Sequence, residues 1–440
     1  MFELSPFLIT ALLFGALITL LIAGLPVVFA MGALGVLAIT LLWQGSYLNT
    51  LLVASAFDIS KWYSLIAMPL FILMAMIMRS AGIIEDLFFS LRLWFAGIPG
   101  GLAMAVVWVC VVVAALSGVV VTAIVILGIT AVPIMLKYGY SKEMALGPIM
   151  AGTCLANLIP PSNGFILYGA LANVSVGQLF MSGFFPGLIL ATLSTLYIGV
   201  RCFINPKLGP PLPPEERVGF REKLASTRYV IVPVLIILAC LGSIFFGITT
   251  PTEAASVGVI GALIAASTKK QLNWQVIRDA CIETGKITSM VIWIFIGAYC
   301  FKGAFVMSGG VQLVTDWVGG LNIAPMAIIC VMQVVFIILG CFVPEIVIFL
   351  LTLPVFLPIV DSLHFSRLWF GALFLTNLQI AYLTPPFGFA LFYMRSVVPK
   401  GISMSDIIRS AVPFIFLQAI GTLIVMFVPQ VALWLPSLMK

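Results

Sequence analysis

Apolar runs of about twenty residues follow one another along the chain, separated by short polar stretches, and each is long enough to cross a hydrocarbon core as a helix. Clear spans are expected over residues 6 to 24, 26 to 43, 62 to 80, 180 to 203, 229 to 247, 251 to 268, 286 to 307 and 405 to 433. Four segments do not fit this pattern. Residues 100 to 137 and 323 to 362 are about twice the length of a span, and residues 142 to 175 and 366 to 398 each carry a proline pair inside an apolar stretch. Each of the four can be a re-entrant hairpin, a broken crossing helix or two crossings. The short alternating segments of a membrane barrel are absent.

The two proline pairs, Pro160-Pro161 and Pro385-Pro386, lie 225 residues apart. At the same offset Pro133 aligns with Pro358 and Tyr168 with Tyr393. Matching breaks in two halves of a membrane protein point to a transport site between them.

Positive charge orients the segments, because cytoplasmic loops collect Lys and Arg. If 100 to 137 and 323 to 362 are hairpins and the proline-bearing segments cross, 17 of the 21 Lys and Arg fall on one side. The reverse arrangement splits them 10 against 11. The first is preferred, and it gives each half five crossings, an odd number that inverts the second half relative to the first. The expected fold is an all-α integral membrane protein, a polytopic inverted-repeat transporter with two re-entrant helical hairpins and two broken transmembrane helices. The first repeat spans 1-203, with scaffold spans over 6-80, an arm at 83-97, a hairpin at 100-137, a broken helix at 142-175 and a span at 180-203. A cytoplasmic linker, 204-228, joins it to the second repeat, 229-440. That repeat has scaffold spans over 229-307, an arm at 311-321, a hairpin at 323-362, a broken helix at 366-398 and a span at 405-433. No soluble domain is expected.

Composition supports a membrane protein: 62% of residues are hydrophobic and 8% charged, which the surface of a soluble globule would not tolerate. The first run lacks a basic n-region and a cleavage site and reads as a span. The net charge of +6 reflects basic loops and forms no stripe for nucleic acid. Eight scattered cysteines and the single His364 give no metal or disulfide pattern. Gly285-Lys286-Ile287-Thr288 lacks the first glycine of a nucleotide-binding loop, since Ala280 stands there. No cluster of His, Cys or paired carboxylates supports an enzyme, and no cofactor is implied.

A helix broken inside a membrane exposes carbonyls on one side of the break, which suit Na⁺, and amides on the other, which suit an anion. The breaks read Asn157-Leu158-Ile159-Pro160-Pro161-Ser162-Asn163-Gly164 and Ala381-Tyr382-Leu383-Thr384-Pro385-Pro386-Phe387-Gly388. Ser162, Asn163 and Thr384 supply hydroxyl and amide groups there. Ser162, Asn163 and Pro386 are candidate substrate contacts. Lys302, the odd charge in its span, either meets an anionic substrate or snorkels to water. The hairpin tips fall near Ser117-Gly118 and near Gly340 to Val343, ahead of Pro344 and Glu345. Glu253 in Thr250-Pro251-Thr252-Glu253 suits a helix N-terminus. Asn377 and Gln379 either bond to neighbours or line a cavity.

Five elements in order resemble the large membrane subunit of tripartite ATP-independent periplasmic (TRAP) transporters over essentially the whole chain. They are Ala67-Met68-Pro69-Leu70-Phe71-Ile72-Leu73-Met74, Pro133-Ile134-Met135 with Gly139-Tyr140, Ile159-Pro160-Pro161-Ser162, Thr249-Thr250-Pro251-Thr252-Glu253-Ala254-Ala255 and Thr384-Pro385-Pro386-Phe387-Gly388. The resemblance implies sodium-driven uptake of a small organic acid anion, a carboxylate or sulfonate, across a bacterial inner membrane. It also implies a periplasmic substrate-binding protein, a small four-span membrane subunit, and an elevator motion of the hairpins and broken helices. By the same resemblance, one sodium site uses Ser117 with carbonyls at Ala156, Ile159 and Pro160. The other uses Gly340, Ala381, Thr384 and Phe387. The chain departs from the family pattern at Val119, Val120 and Val121 after the first tip, and at Ala156 and Ala381 before the breaks, so side-chain oxygen is scarcer at the first site. A stand-alone sodium/dicarboxylate carrier of similar design, or a membrane scaffold without transport, remains open on the sequence alone.

Overall fold

A computed structural model describes residues 5–43, 57, 62–117, 120–320, 323–343, 345–386 and 388–439, which among themselves form helices and turns and no strand. Helices α1 (Pro6–Ile22) and α2 (Val27–Trp43) open the chain. The next two, α3 (Ala67–Ser80) and α4 (Ile83–Phe95), are bent by 67° about Gly82, whose φ of +63° suits a residue without Cβ. Glu85 and Asp86 in the first turn of α4 and Arg92 in the last match its dipole.

Helices α5 (Gly101–Ser117) and α6 (Val120–Lys137) pair as a hairpin. Both of its ends meet the segment 204–228: Gly100 N–H donates to Gly209 O at 2.8 Å, and Ser141 N–H to Leu208 O at 2.9 Å. The Tyr138 hydroxyl donates to the Glu216 carboxylate, and that bond holds the phenol above its ordinary pKa. The first broken helix follows as α7 (Lys142–Cys154) and α8 (Asn163–Ala172), then the 29-residue α9 (Val176–Ile204).

In the second half come α10 (Phe220–Ser226), α11 (Arg228–Phe245), α12 (Pro251–Thr268), α13 (Trp274–Met307) and α14 (Gly310–Gly319). The hairpin α15 (Pro325–Gly340) and α16 (Glu345–Ser362) precedes the second broken helix, α17 (Arg367–Leu383) and α18 (Phe389–Val397). Helices α19 (Met404–Phe427) and α20 (Gln430–Ser437) close the chain. Two boundaries differ from the pattern expected along the sequence. The polar stretch before residue 286 is the start of α13, capped by Asn273 accepting from Val276 N–H at 2.8 Å, because its long polar residues are good helix formers. The last span stops at Phe427, since Pro429 cannot continue the hydrogen-bond ladder, and a separate helix begins at Gln430.

Among the described residues, five helices are long and apolar enough to cross a membrane, or six if the bent pair α3 and α4 counts as one span: Val176–Ile204, Phe220–Phe245 (α10 and α11 taken together), Trp274–Met307, Glu345–Ser362 and Met404–Phe427. Leu235, Leu238, Ile260, Ile264, Phe416 and Leu423 expose apolar side chains, as lipid-facing positions require. Small residues let helices meet closely: a Cβ on Gly35 would lie 2.5 Å from the Cys300 carbonyl carbon, and one on Gly297 2.5 Å from Val28 O. Inside, Phe336, Phe349 and Phe374 stack across the second hairpin and second broken helix.

The offset of 225 recurs in the geometry. Gly139 and His364 both have positive φ, +79° and +59°. Ser141 and Ser366 both cap helices, accepting from Met144 N–H and Trp369 N–H. Lys142 and Arg367 follow as the first helical residues. Lys142 bonds Asp406 at 2.8 Å and Gly401 O, beyond the end of α18. Arg367 pairs with Asp361 and donates to Ala172 O, the end of α8, at 2.9 Å. The start of each broken helix therefore meets the far end of the other, and the two run antiparallel.

Candidate functional site

Prolines without N–H groups force both breaks. At the first, the end of α7 tightens into a turn over Leu155–Asn157, and Leu158 and Ile159 N–H both reach Leu155 O, at 2.9 and 2.8 Å. Ser162 then caps α8, accepting from Phe165 N–H at 3.3 Å while its hydroxyl donates to Asn157 O at 2.5 Å. At the second, Thr384 N–H donates to Ala381 O at 3.3 Å and its hydroxyl to Ile380 O at 2.7 Å. That hydroxyl keeps lone pairs for a cation. Pro160-Pro161 and Pro385-Pro386 are both cis. Phe387, Gly118 and Val119 lie outside the described residues, as does the Ser117 side chain.

Glycines bring other backbone onto these breaks. A Cβ on Gly340 would lie 2.2 Å from the Ala381 Cβ, so the second hairpin's last turn rests directly on the second break. One on Gly388 would meet Tyr382 O at 2.8 Å and Thr384 O at 2.9 Å, and one on Gly183 of α9 would meet Leu158 O at 2.4 Å. Gly187, one turn on, makes room for the Ile159 side chain, whose Cγ1 lies 2.4 Å from where a Cβ on Gly187 would stand. On the other side α5 packs against the turn Leu155–Asn157.

The structure thus brings together Gly340, Ala381 and Thr384, and places Ala156, Ile159, Pro160, Ser162 and Asn163 along the first break. Asn163 is the first residue of α8 and Pro386 is exposed. Lys302 stands apart: its ammonium lies 4.9 Å from the Tyr299 ring centroid, and it makes no hydrogen bond with either break among the described residues. Glu253 completes a capping box with Thr250. Asn377 and Gln379 are fully buried; Asn377 donates to Gln333 O and Oε1 at 2.8 and 2.9 Å, tying α17 to α15, and Gln379 to Leu375 O at 2.9 Å.

The family model described as "Tripartite ATP-independent periplasmic transporter, DctM component" matches residues 14–431. The chain belongs to this family. It is 31% identical to the C4-dicarboxylate TRAP transporter large permease protein DctM of Pseudomonas aeruginosa, over 93% of this chain and 94% of that one. The ectoine TRAP transporter large permease protein TeaC of Halomonas elongata is 28% identical over 98% of this chain and 99% of its own. The isethionate TRAP transporter permease protein DctMQ of Oleidesulfovibrio alaskensis is 28% identical over 96% of this chain and 65% of its own. In fold the chain is similar to the Alcanivorax borkumensis YdaH transporter, whose crystal structure has an unusual topology, with a TM-score of 0.58 at 16% identity over 87% of this chain and 88% of that one. This DctM-family chain is therefore the large permease subunit of a TRAP transporter and a multi-pass membrane protein.

Five residues at the two breaks escaped the sequence reading of their chemistry. The Asn157 side-chain amide donates to Tyr382 Oη at 2.6 Å and to the Glu345 carboxylate. Asn157 and Tyr382 are themselves 225 residues apart, so the offset that links the proline pairs contained the signal. Gly183 and Gly187 carried none, because nothing in α9 announces what packs on it.

Proposed function

We propose that this chain is the substrate-translocating subunit of its transporter, moving a small organic acid anion, a carboxylate or sulfonate, across a bacterial inner membrane in symport with sodium. The observation that carries the reading is the meeting of two antiparallel helix breaks, with the second hairpin's last turn seated on one of them through Gly340 and Ala381. Breaks of this kind offer carbonyls for a cation and half-helix N-termini for an anion within the same few ångströms.

In this reading Gly340, Ala381, Thr384 and Phe387 hold one sodium ion, and Ser117 with the carbonyls of Ala156, Ile159 and Pro160 holds the other. Ser162, Asn163 and Pro386 face the anion; Lys302, over the Tyr299 ring, is left out of that seat. The hairpin helices of 16 to 18 residues are about 24 to 27 Å long; among the described residues three of the four fall short of a crossing, which supports re-entrant hairpins, and Glu345–Ser362 alone is just long enough to span. The hairpins and broken helices move together as an elevator past the scaffold spans. The partners are a small four-span membrane subunit and a periplasmic substrate-binding protein, and the greater length of the DctMQ relative leaves room for the first of these on one chain.

Reconstitution in proteoliposomes tests the reading. An imposed sodium gradient should drive uptake only when the small subunit and the binding protein are both present. Uptake by this chain alone would refute the tripartite form. Thr384→Val keeps the shape of the side chain and removes its oxygen, so it should raise the half-saturating sodium concentration about tenfold, the loss of one ligand to an ion. Unchanged sodium activation would remove Thr384 from the site.

A further inference from the structure

Asn157 and Tyr382 occupy equivalent positions in the two halves, and their side chains bond to each other at 2.6 Å. Equivalent positions that touch lie on the two-fold axis relating their units, here a pseudo-axis within one chain. Each also belongs to a break. The Asn157 carbonyl accepts the Ser162 hydroxyl, and the Tyr382 carbonyl lies against Gly388. The second hydrogen of the Asn157 amide goes to Glu345, the first residue of α16, beyond the hairpin turn.

One buried amide therefore joins the first break, the second break and the second hairpin. None of the three needs it for its own construction: Ser162 caps α8, Thr384 bonds back onto α17, and Gly340 rests on Ala381. The link is a connection between elements that are already formed. A buried donor left without its acceptor costs about 1–3 kcal/mol, so a shift of either break is felt at the other.

We propose that Asn157 and Tyr382 are positioning residues that couple the two ion sites, so that sodium at one break organises the other break and the second hairpin's tip. The proposal rests on the reading of both breaks as sodium sites. One neutral hydrogen bond supports a coupling of about fivefold.

Equilibrium binding of radiolabelled sodium to the purified full chain tests it, with potassium chloride holding ionic strength constant. The wild type should bind two ions with a Hill coefficient above one. Tyr382→Phe keeps the ring and removes the acceptor; it should bring the coefficient down to one and weaken half-saturation about fivefold, with two ions still bound at saturation. Asn157→Leu repeats the test from the other side. A coefficient unchanged in both variants overturns the proposal, as does failure of both to fold, which assigns the pair to the structural core. Absence of sodium binding by the wild type overturns the sodium reading itself and the coupling with it.

Discussion

Gly340→Ala tests the contact between the second hairpin and the second break. The added Cβ would sit 2.2 Å from the Ala381 Cβ, where ordinary contact begins at 3.4 Å, so the two backbones must separate by about 1.2 Å. Neither partner can yield by rotation, because both methyl groups are fixed to backbone. Overpacking of this size costs about 1–3 kcal/mol, offset by about 0.5–1 kcal/mol from replacing a helical glycine. The net loss of roughly 0–2.5 kcal/mol leaves the chain folded. Its ion site is affected more, since a displacement of about 1 Å in a positioned group can cost as much as a hundredfold. Thermal unfolding in detergent should show a small decrease, while half-saturating sodium for uptake rises at least about tenfold. Ala381→Gly added to Gly340→Ala removes the collision, because the next atoms, Ala381 Cα and Ile348 Cδ1, stand at 3.5 Å. The double variant should therefore recover sodium affinity, the helix-propensity loss of about 1 kcal/mol at residue 381 being largely offset by the gain at residue 340. Normal sodium dependence in the single variant, or no recovery in the double, would refute the reasoning.

Gly183→Ala places a Cβ 2.4 Å from Leu158 O and 2.2 Å from the Phe165 ring, and should lower stability by about 1–3 kcal/mol in thermal unfolding. Gly242→Ala, with nothing within 4 Å, is the control and should be neutral or stabilising by less than about 1 kcal/mol. Thr250→Ala removes the hydroxyl that accepts from Glu253 N–H at 3.3 Å; it should cost about 1 kcal/mol in the same assay without altering half-saturating sodium.

The breaks were legible because they are local: Pro160-Pro161 and Pro385-Pro386 disrupt the helix where they stand. The start of α13 was harder, since a polar helix and a polar loop share their composition, and only the Asn273 cap separates them. Contacts between distant segments left no such mark. Gly340 on Ala381 could be proposed from the family resemblance, whereas Gly183 on Leu158 depends on the path of α9 through the fold. The bond between Asn157 and Tyr382 lay between these cases: their shared offset was readable, but only the folded chain shows that the two copies face each other.

That contact has an evolutionary consequence. Duplication of an ancestral half starts with the same residue at both positions. Away from the axis each copy meets a different neighbour, and Ser141 with Ser366, or Tyr168 with Tyr393, could persist as identical residues. On the axis each copy is the other's environment, so a change in one redefines what the other must accept. With Asn157 as donor and Tyr382 as acceptor, the halves differ in reach at the axis: a chain built from two copies of either half would carry two amides or two phenols there, each pair still able to share a hydrogen bond but across a different separation.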